Sequence, residues 1–364
     1  MIVWAALGTI GLAFAISALA TSLSRRVAFR LGMLDVPGGH KAHARPTPML
    51  GGSAVFATIL GVSLLPLALA RYWAWSSEGV PSWVPASLAI YVGGAAAKAP
   101  KALGILAGAL VLHVVGLVDD RRNLGPWLKL AAQLVVAVCV VTLCDVRVLT
   151  VAGPAVSTAA SVLWLVAIIN AFNFLDNMDG LAAGVAVIVS TALLAASAQV
   201  GQLFVPAWLC VLTGSLAGFL VFNFPPASVY MGDAGSLVVG YSLAVASCLT
   251  TYVEPGRHYY AYGVFVPLVI MAVPLYDMAS VIVLRVRQRR NPMVGDRRHF
   301  SHRLLRRGMS VRKAVLTIWT CTAATAISAT LLSMVGTYGA VLVFAQTVMI
   351  VLVLALLELG DGKA

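Results

Sequence analysis

The sequence predicts an all-α membrane protein, a polytopic bundle of about eleven transmembrane helices, on the basis of its composition and its apolar runs. Of its 364 residues, 60% are hydrophobic and only 10% are charged, and the mean hydropathy is +0.94. A soluble domain carries about 25% charged residues. This chain therefore has too little polar side-chain surface to cover a soluble fold.

The apolar segments recur at a length that suits helices crossing a bilayer. They lie at approximately 2–22, 50–70, 102–118, 128–146, 156–172, 181–200, 203–222, 234–252, 261–284, 312–334 and 338–357. The third segment is short, and the sixth and seventh nearly touch. No loop between them is long enough to fold alone, so residues 1–364 are predicted to form one integral-membrane domain.

Neither the start of the chain nor its cysteines indicate a signal peptide, a zinc site or a disulfide framework. Met1 leads directly into an apolar run, and no small-residue cleavage site follows it, so no cleavable signal is expected. No pair of cysteines has the C-x-x-C spacing of a zinc or redox site. The five cysteines are therefore expected to be small, mostly buried apolar residues: Cys139, Cys144, Cys210, Cys248 and Cys321.

The basic residues predict the orientation of the bundle. The net charge is +12, and most Lys and Arg residues lie in the first, third and ninth loops. Basic loops face the cytoplasm, so the N-terminus is expected outside and the C-terminus inside. This distribution favours contact with membrane lipid over nucleic acid. Most acidic residues share that side, in loops at approximately 23–49, 119–128, 173–180, 223–233 and 285–311.

The most informative stretch is NAFNFLDNMDGLAAG, from Asn170 to Gly184, which joins two apolar segments. Asn173, Asp176 and Asp179 lie three residues apart, so a helical start would place Asn173 and Asp176 on one face. Ionisable groups are costly inside a bilayer, which indicates a polar pocket at the membrane surface. Asp179 could also cap the following helix, but capping leaves Asp176 unexplained.

Two further acidic motifs lie at the ends of apolar segments. Asp119 and Asp120 are adjacent and repel each other, so a divalent cation or nearby basic side chains such as Lys129 must offset their charge. Asp233 is flanked by glycines at the start of the eighth segment. There it could hold a metal beside backbone N–H groups that face a phosphate, or it could cap the helix.

The first and ninth loops supply basic and imidazole groups. His40, Lys41, His43 and Arg45 could meet a lipid phosphate or simply form a positive cytoplasmic loop. The ninth loop, Leu284 to Gly308, has nine arginines and two histidines, which suits phosphate binding or an anionic lipid surface. His299 and His302 would share a face on a helix, but no third zinc ligand is evident.

Carboxylates and amides without thiols favour a hard cation, Mg²⁺ or else Mn²⁺. A cation together with many arginines indicates a phosphorylated substrate. The membrane location indicates that one substrate is a lipid.

Four motifs together resemble the polyprenyl-phosphate N-acetylhexosamine-1-phosphate transferases of the MraY/WecA type, glycosyltransferase family 4. The motifs are GLVDD (Gly116–Asp120), NAFNFLDNMDGLAAG, NFPPASVYMGDAGS (Asn223–Ser236) and DRRHFSHRLLRRG (Asp296–Gly308). The resemblance implies ten or eleven transmembrane helices around a cytoplasmic cleft in the bacterial inner membrane. It also implies Mg²⁺-dependent transfer of a sugar 1-phosphate from a UDP-sugar to polyprenyl phosphate, with release of UMP, and it admits a homodimer.

The resemblance assigns roles by matching position. Predicted metal ligands are Asp233 and Asp176, and predicted catalytic residues are Asp119, Asp120, Asp176 and His299. Predicted substrate-binding residues are Asn173, Asp179, Asn223, Lys129, His302, Arg303 and His43. Because the phosphate acceptor is largely dianionic near neutral pH, a single displacement is expected, with one aspartate as an optional base.

The sequence departs from the family motifs in two places. Its last-loop histidines are separated, as in the branch that uses UDP-N-acetylglucosamine, but Arg303 stands where that branch usually has a further histidine. Asn177 replaces a glycine after Asp176, so the turn there is expected to differ slightly. Two alternatives stay open: a phospho-N-acetylmuramoyl-pentapeptide transferase, and an ion-coupled transporter. The transporter is disfavoured because the acids lie at segment ends on one side, without repeats.

Overall fold

The structure of the protein is a computed structural model that describes residues 2–35, 46–252, 260–289 and 299–359. These residues form a bundle of α-helices with one short two-stranded hairpin. The helices are α1 (Ile2–Leu31), α2 (Gly51–Trp75), α3 (Ala86–Ala89), α4 (Val92–Arg122), α5 (Pro126–Leu143), α6 (Pro154–Leu175), α7 (Leu181–Gln199), α8 (Phe204–Asn223), α9 (Asp233–Leu249), α10 (Val266–Ile270), α11 (Ala272–Arg287), α12 (Phe300–Arg306), α13 (Val311–Thr330) and α14 (Thr337–Leu359). Short 3₁₀ helices cover Thr150–Ala152 and Ala261–Phe265.

The all-α membrane fold is confirmed, but the count of eleven spans is not. Each of the eleven predicted segments lies on a helix or on a bent pair. Within the described residues, eight helices are long and apolar enough to cross a membrane, or nine if the pair Ala261–Ile270 and Ala272–Arg287, bent by 60°, is one span. Helix α9 has only 17 residues, and α13 is not among the eight.

Two helices are longer than the predicted apolar segments. Helix α4 has 31 residues and contains Lys98, Pro100 and Lys101 in its first half, where the sequence predicted a loop. Helix α1 continues through Arg25, Arg26 and Arg30. Charged residues end an apolar run but do not end a helix, because Lys and Arg have good helix propensity and can extend towards water.

Helix α9 lies at the centre of the bundle, against α2, α4, α6, α7 and α8. It is buried along nearly its whole length. By contrast, only 11% of the most apolar 18 residues of α1, and 17% of those of α14, are buried inside the protein. A helix surrounded by protein needs neither bilayer length nor a lipid-facing surface. This explains why α9 can be short and begin with the charged residue Asp233.

Glycines let the backbones of α2 and α4 approach the start of α9. A Cβ on Gly52 would lie 2.3 Å from Cα of Gly235, and one on Gly116 would lie 2.4 Å from the backbone of Asp233. Any larger side chain at Gly52 or Gly116 would push these helices apart. The close packing therefore sets the position of Asp233 relative to α2 and α4.

The segment before α2 contacts the loop that precedes α9. Strands β1 (Leu34–Asp35) and β2 (Thr47–Pro48) form an antiparallel hairpin. The backbone N–H of Tyr230 donates to Pro48 O at 2.8 Å, and those of Gly51 and Gly52 donate to Tyr230 O and Met231 O at 3.0 Å each. The described end of the first loop is thereby held next to the residues that precede Asp233.

The five cysteines are free thiols. Cys210 and Cys248 are buried as expected, while Cys139 is exposed on the surface of the bundle. No disulfide or thiolate chemistry enters the architecture.

Candidate active site

The start of α9 is held by Asp120, which projects from the last turns of α4. Its Oδ1 accepts from the backbone N–H of Asp233 at 2.8 Å, and its Oδ2 accepts from that of Ala234 at 3.1 Å. The N-cap residue of α9 is Gly232, which has no side chain that could cap the helix. The alternative in which Asp233 caps its own helix is therefore wrong, and the Asp233 carboxylate is left for other partners.

Lys129 bridges two carboxylates from different helices. Its Nζ donates to Asp119 Oδ2 at 2.9 Å and to Asp233 Oδ2 at 2.7 Å. Asp119 Oδ1 also accepts from the backbone N–H of Leu124 at 2.7 Å, which fixes the short connection between α4 and α5. The two adjacent aspartates thus have separate partners: Asp119 faces Lys129, and Asp120 holds the α9 backbone.

Asn173, near the end of α6, reaches the same carboxylate from the opposite direction. Its Nδ2 donates to Asp233 Oδ1 at 2.9 Å and to Ser236 Oγ at 2.9 Å. Both oxygens of Asp233 therefore have a nitrogen donor, one neutral and one cationic. The ends of four helices, α4, α5, α6 and α9, meet at this carboxylate.

Asp176 adds a further carboxylate to the cluster. It follows the last residue of α6, with φ −78° and ψ 49°, so Asp176 leaves the helix that carries Asn173. Burial raises the pKa of Asp176 well above its usual value, and the negative charges of Asp233, Asp120 and Asp179 raise it further. Such mutual repulsion means that the cluster has more negative charge than Lys129 alone can balance.

Asp179 and Asn223 hold the two loops beside the cluster. Asp179 Oδ2 accepts from the backbone N–H of Ala227 at 2.8 Å, and α7 begins at Leu181 after Gly180 with φ +71°. The alternative that Asp179 caps α7 is therefore wrong. Asn223 is 4% exposed and joins Gly180 N to Val229 O through its amide. In this geometry the amide of Asn223 connects the loop before α7 with the loop before α9.

The departure from the family motif at Asn177 has a partner in the last loop. Ser301 Oγ donates to Asn177 Oδ1 at 2.6 Å, and Asn177 Nδ2 donates to Phe174 O at 2.7 Å. Asn177 keeps a negative φ, whereas Gly180 takes the left-handed conformation. The turn after Asp176 therefore does not depend on glycine at position 177, and the amide joins α6 to α12.

His299 lies at the start of α12, against a buried acid on α11. His299 Nδ1 is 3.1 Å from Asp277 Oδ2, and the His299 ring meets the ring of Phe174 edge-on, with centroids 5.7 Å apart. Helix α12 begins at Phe300, so His299 is its N-cap residue and His302 lies in its first turn. Arg303 donates to Ser280 Oγ at 2.8 Å.

Four basic or imidazole residues of the first loop, His43 with its neighbours His40, Lys41 and Arg45, lie outside the described residues.

Three residues that contact the predicted site residues were not singled out from the sequence: Asp277, Ser236 and Ser301. Asp277 carried a signal, because an acid inside an apolar segment is rare and usually has a function. Ser236 and Ser301 carried none, since a single serine in a helix has no distinctive sequence pattern.

The described part of the chain contains no group of three or more His, Cys, Asp or Glu side chains arranged to enclose a metal ion. The carboxylates of Asp233 and Asp176 would thus supply only part of a coordination shell. Mg²⁺ is commonly held in this way, by one or two carboxylates together with waters and substrate phosphates.

Replacing Gly232 with Ala is expected to disrupt the cluster. A Cβ there would lie 2.6 Å from Asp120 Oδ2, at a residue with φ +67°, so Asp120 would be pushed away from the α9 backbone. A displacement of about 1 Å can lower turnover roughly 10²-fold. Steady-state rates and melting temperatures of the purified variant measure the effect.

Gly201→Ala is the matched control, because Gly201 has φ +72° with no atom within 4 Å of the added Cβ. It reproduces the backbone strain without the collision. Equal losses of activity in the two variants would contradict the placement of Asp120.

Comparisons with known protein sequences identify the family. Residues 102–251, from within α4 to just beyond α9, match the Glycosyl transferase family 4. A probable undecaprenyl-phosphate N-acetylglucosaminyl 1-phosphate transferase of Bacillus subtilis is 31% identical over 82% of this chain and 77% of its own length.

Two more relatives have similar names. A decaprenyl-phosphate N-acetylglucosaminephosphotransferase of Mycobacterium tuberculosis is 35% identical over 86% of this chain and 79% of its own length. An undecaprenyl-phosphate alpha-N-acetylglucosaminyl 1-phosphate transferase of Yersinia pestis is 26% identical over 88% of this chain and 81% of its own length. These similarities favour the transferase interpretation over the transporter interpretation.

The motifs, the site at the helix ends and the similarity along most of the sequence show that the chain belongs to glycosyl transferase family 4.

Proposed function

We propose that this protein transfers a sugar 1-phosphate, N-acetylglucosamine 1-phosphate in the first instance, from a UDP-sugar to a polyprenyl phosphate and releases UMP. The observation that carries the proposal is the convergence of Asp119, Asp120, Lys129, Asn173 and Asp233 where membrane helices end. A site at that depth can meet a lipid phosphate and a water-soluble nucleotide at once. The names of the relatives supply the sugar and the acceptor.

The charge of the cluster supports a divalent cation as cofactor, Mg²⁺ or alternatively Mn²⁺. Both substrates are anionic, and the site itself has several carboxylates with one lysine between two of them. Asp233 and Asp176 are the residues that would hold the cation. When bound, it would neutralise charge on the diphosphate and on the departing UMP.

The side chains of the protein then have distinct tasks. Lys129 and Asn173 hold both oxygens of Asp233 in place. Asp120 uses its two oxygens on the α9 backbone, which supports a positioning role rather than service as base or nucleophile. Asp119 is the remaining member of the pair that could act as base. Arg303 would add positive charge from the last loop, and His299 and His302 would supply imidazole groups.

A single displacement follows from the state of the acceptor. A phosphate monoester has a second pKa of about 6, so the acceptor oxygen is largely ionised at neutral pH and needs little help from a base. In-line positioning then supplies most of the acceleration. Trapping a covalent phospho-aspartyl enzyme with UDP-sugar alone would contradict this mechanism.

The location and orientation are part of the same proposal. The excess of Lys and Arg at the site end of the bundle supports a cytoplasmic active site in the bacterial inner membrane, at the first membrane step of cell-envelope glycan synthesis. Labelling of single cysteines placed in loops from either side of the membrane tests the orientation. Light scattering in detergent distinguishes a monomer from the homodimer that the resemblance admits.

The deciding experiment is an assay of the purified protein with polyprenyl phosphate, Mg²⁺ and a panel of UDP-sugars. The panel includes UDP-N-acetylglucosamine, UDP-N-acetylgalactosamine and UDP-N-acetylmuramoyl-pentapeptide. Release of UMP together with a polyprenyl diphosphate sugar is expected, with UDP-N-acetylglucosamine the best donor. Absence of both products throughout the panel would overturn the proposal.

Removal of divalent ions is expected to abolish turnover, because the acidic cluster then has no cation to join it to the diphosphate. Titrating Mg²⁺ back should restore activity and raise the melting temperature. A ligand that binds only the folded state at 100 times its Kd stabilises it by about 2.7 kcal/mol. The control is an equal ionic strength of NaCl. Full activity in EDTA would contradict the metal assignment.

A further inference from the structure

Asp277 is a carboxylate fully buried on α11, with 0% exposure. Its Oδ2 lies 3.1 Å from His299 Nδ1, and its Oδ1 accepts from the backbone N–H of Phe300 at 3.2 Å. Both contacts go to one short segment at the start of α12. A single side chain therefore fixes the imidazole ring and the backbone that follows it.

The burial of Asp277 makes these contacts persistent. A carboxylate taken out of water is strongly destabilising unless hydrogen bonds replace its hydration. If α12 moved away, Asp277 would lose both partners and remain inside the bundle. The cost of that state holds His299 in place.

A second set of contacts fixes the other side of the His299 ring. Phe174 meets it edge-on, and the guanidinium of Arg285 lies 5.4 Å from the centre of the Phe174 ring on the same end of the bundle. Phe174 follows Asn173 and precedes Asp176 in the chain. The ring of His299 is thus packed against the segment that carries two predicted site residues.

We propose that Asp277 is a positioning residue for the transfer reaction, which holds His299 with its Nδ1–H directed to the carboxylate and its Nε2 reserved for the substrate. The inference rests on the proposed function. A hydrogen bond at one ring nitrogen determines the role of the other. Nε2 accepts when the ring is neutral and donates to a phosphate oxygen when the ring carries a second proton.

Asp277→Asn tests this role, because the amide has the same shape but can present an N–H₂ group to His299 Nδ1. That contact would favour the opposite tautomer. We expect kcat to fall about 10²-fold or more, the range for a misplaced acid–base group, with the KM for UDP-sugar changing much less. Asp277→Glu keeps the carboxylate and should retain more activity than Asp277→Asn.

A double-mutant cycle separates positioning from simple structural support. If Asp277 acts through His299, then Asp277→Asn should cause little further loss of kcat in a His299→Ala background. Equal losses in both backgrounds would overturn the proposal. Ser280→Ala is the control for a loosened contact between α11 and α12. It removes the hydrogen bonds to Arg303 and to the backbone O of Asp277 but leaves the contact between the Asp277 carboxylate and His299 intact.

NMR spectroscopy of the histidine ring nitrogens tests the position of the His299 proton without an activity assay. In protein labelled with ¹⁵N-histidine, with the His299 signal assigned by His299→Gln, the wild type should show the proton on Nδ1. A wild-type ring with an unprotonated Nδ1 would overturn the proposal, even where Asp277→Asn fails to fold. If the wild type transfers no sugar phosphate, the proposed function fails, while this readout still tests the contact.

Discussion

Asp233→Asn is expected to lower kcat about 10³-fold, which corresponds to about 4 kcal/mol of lost transition-state stabilisation. The amide keeps the shape and can still accept from Asn173, but it loses the charge that Lys129 contacts at 2.7 Å. It also loses the carboxylate that would hold the cation near the diphosphate. Mg²⁺ titrations of the rate measure the change, and insertion in the membrane should be normal.

Asp145→Asn is the matched control for this substitution. Asp145 is an exposed acid that follows α5 at the end away from the site, where it pairs with Arg147. The substitution removes one negative charge from the protein without changing any residue of the cluster. Wild-type turnover of Asp233→Asn, or an equal loss in Asp145→Asn, would show that the cluster is not the active site.

Lys129→Met is expected to lower turnover about 10²-fold and to destabilise the fold, because it leaves Asp119 and Asp233 facing each other without a cation. Removing one partner of a buried ion pair costs about 3–5 kcal/mol. The Lys129 and Asp233 side chains are 21% and 24% exposed, so solvent screening reduces the expected cost to about 1–3 kcal/mol. Thermal unfolding in EDTA and in Mg²⁺ measures it.

A double-mutant cycle that combines Lys129→Met with Asp233→Asn tests whether the two side chains interact. Lys129→Met should cost less stability when position 233 is already neutral, because fewer charges are then left without a partner. Lys101→Met serves as control, since Lys101 donates to the backbone O of Asp145 on the opposite end of the bundle. Additive losses for Lys129 and Asp233 would contradict the ion pair.

The adjacent acids show what the sequence could and could not predict about the site. Their repulsion indicated that a cation or basic group must lie nearby, and Lys129 meets that need. That Asp120 instead holds the backbone of Asp233, 113 residues away, had no local signal. The contact exists because Gly116 and Gly232 leave no side chain in the way.

The same limit explains the incorrect capping interpretations of Asp179 and Asp233. Both residues precede or begin a helix, which is the local pattern typical of an N-cap. In the folded chain Gly180 and Gly232 are the N-cap residues. The Asp179 carboxylate accepts from the backbone of Ala227 instead, and the Asp233 carboxylate accepts from Lys129 and Asn173. Asn223, which the family resemblance assigns to substrate binding, contacts the backbone of Gly180 and Val229 through its amide, and no local pattern indicated these partners.

By itself, the sequence determined the membrane class, the order of the apolar segments and the acids that the structure brings together where helices end. These follow from hydropathy and charge, which are properties of each segment and of the solvent around it. Only the tertiary structure decided which carboxylate faces Lys129, which one holds α9, and which buried acid meets His299. The contacts of Asp233 with Lys129 and Asp120 join residues 104 and 113 positions apart, and close packing at glycines leaves no trace in hydropathy.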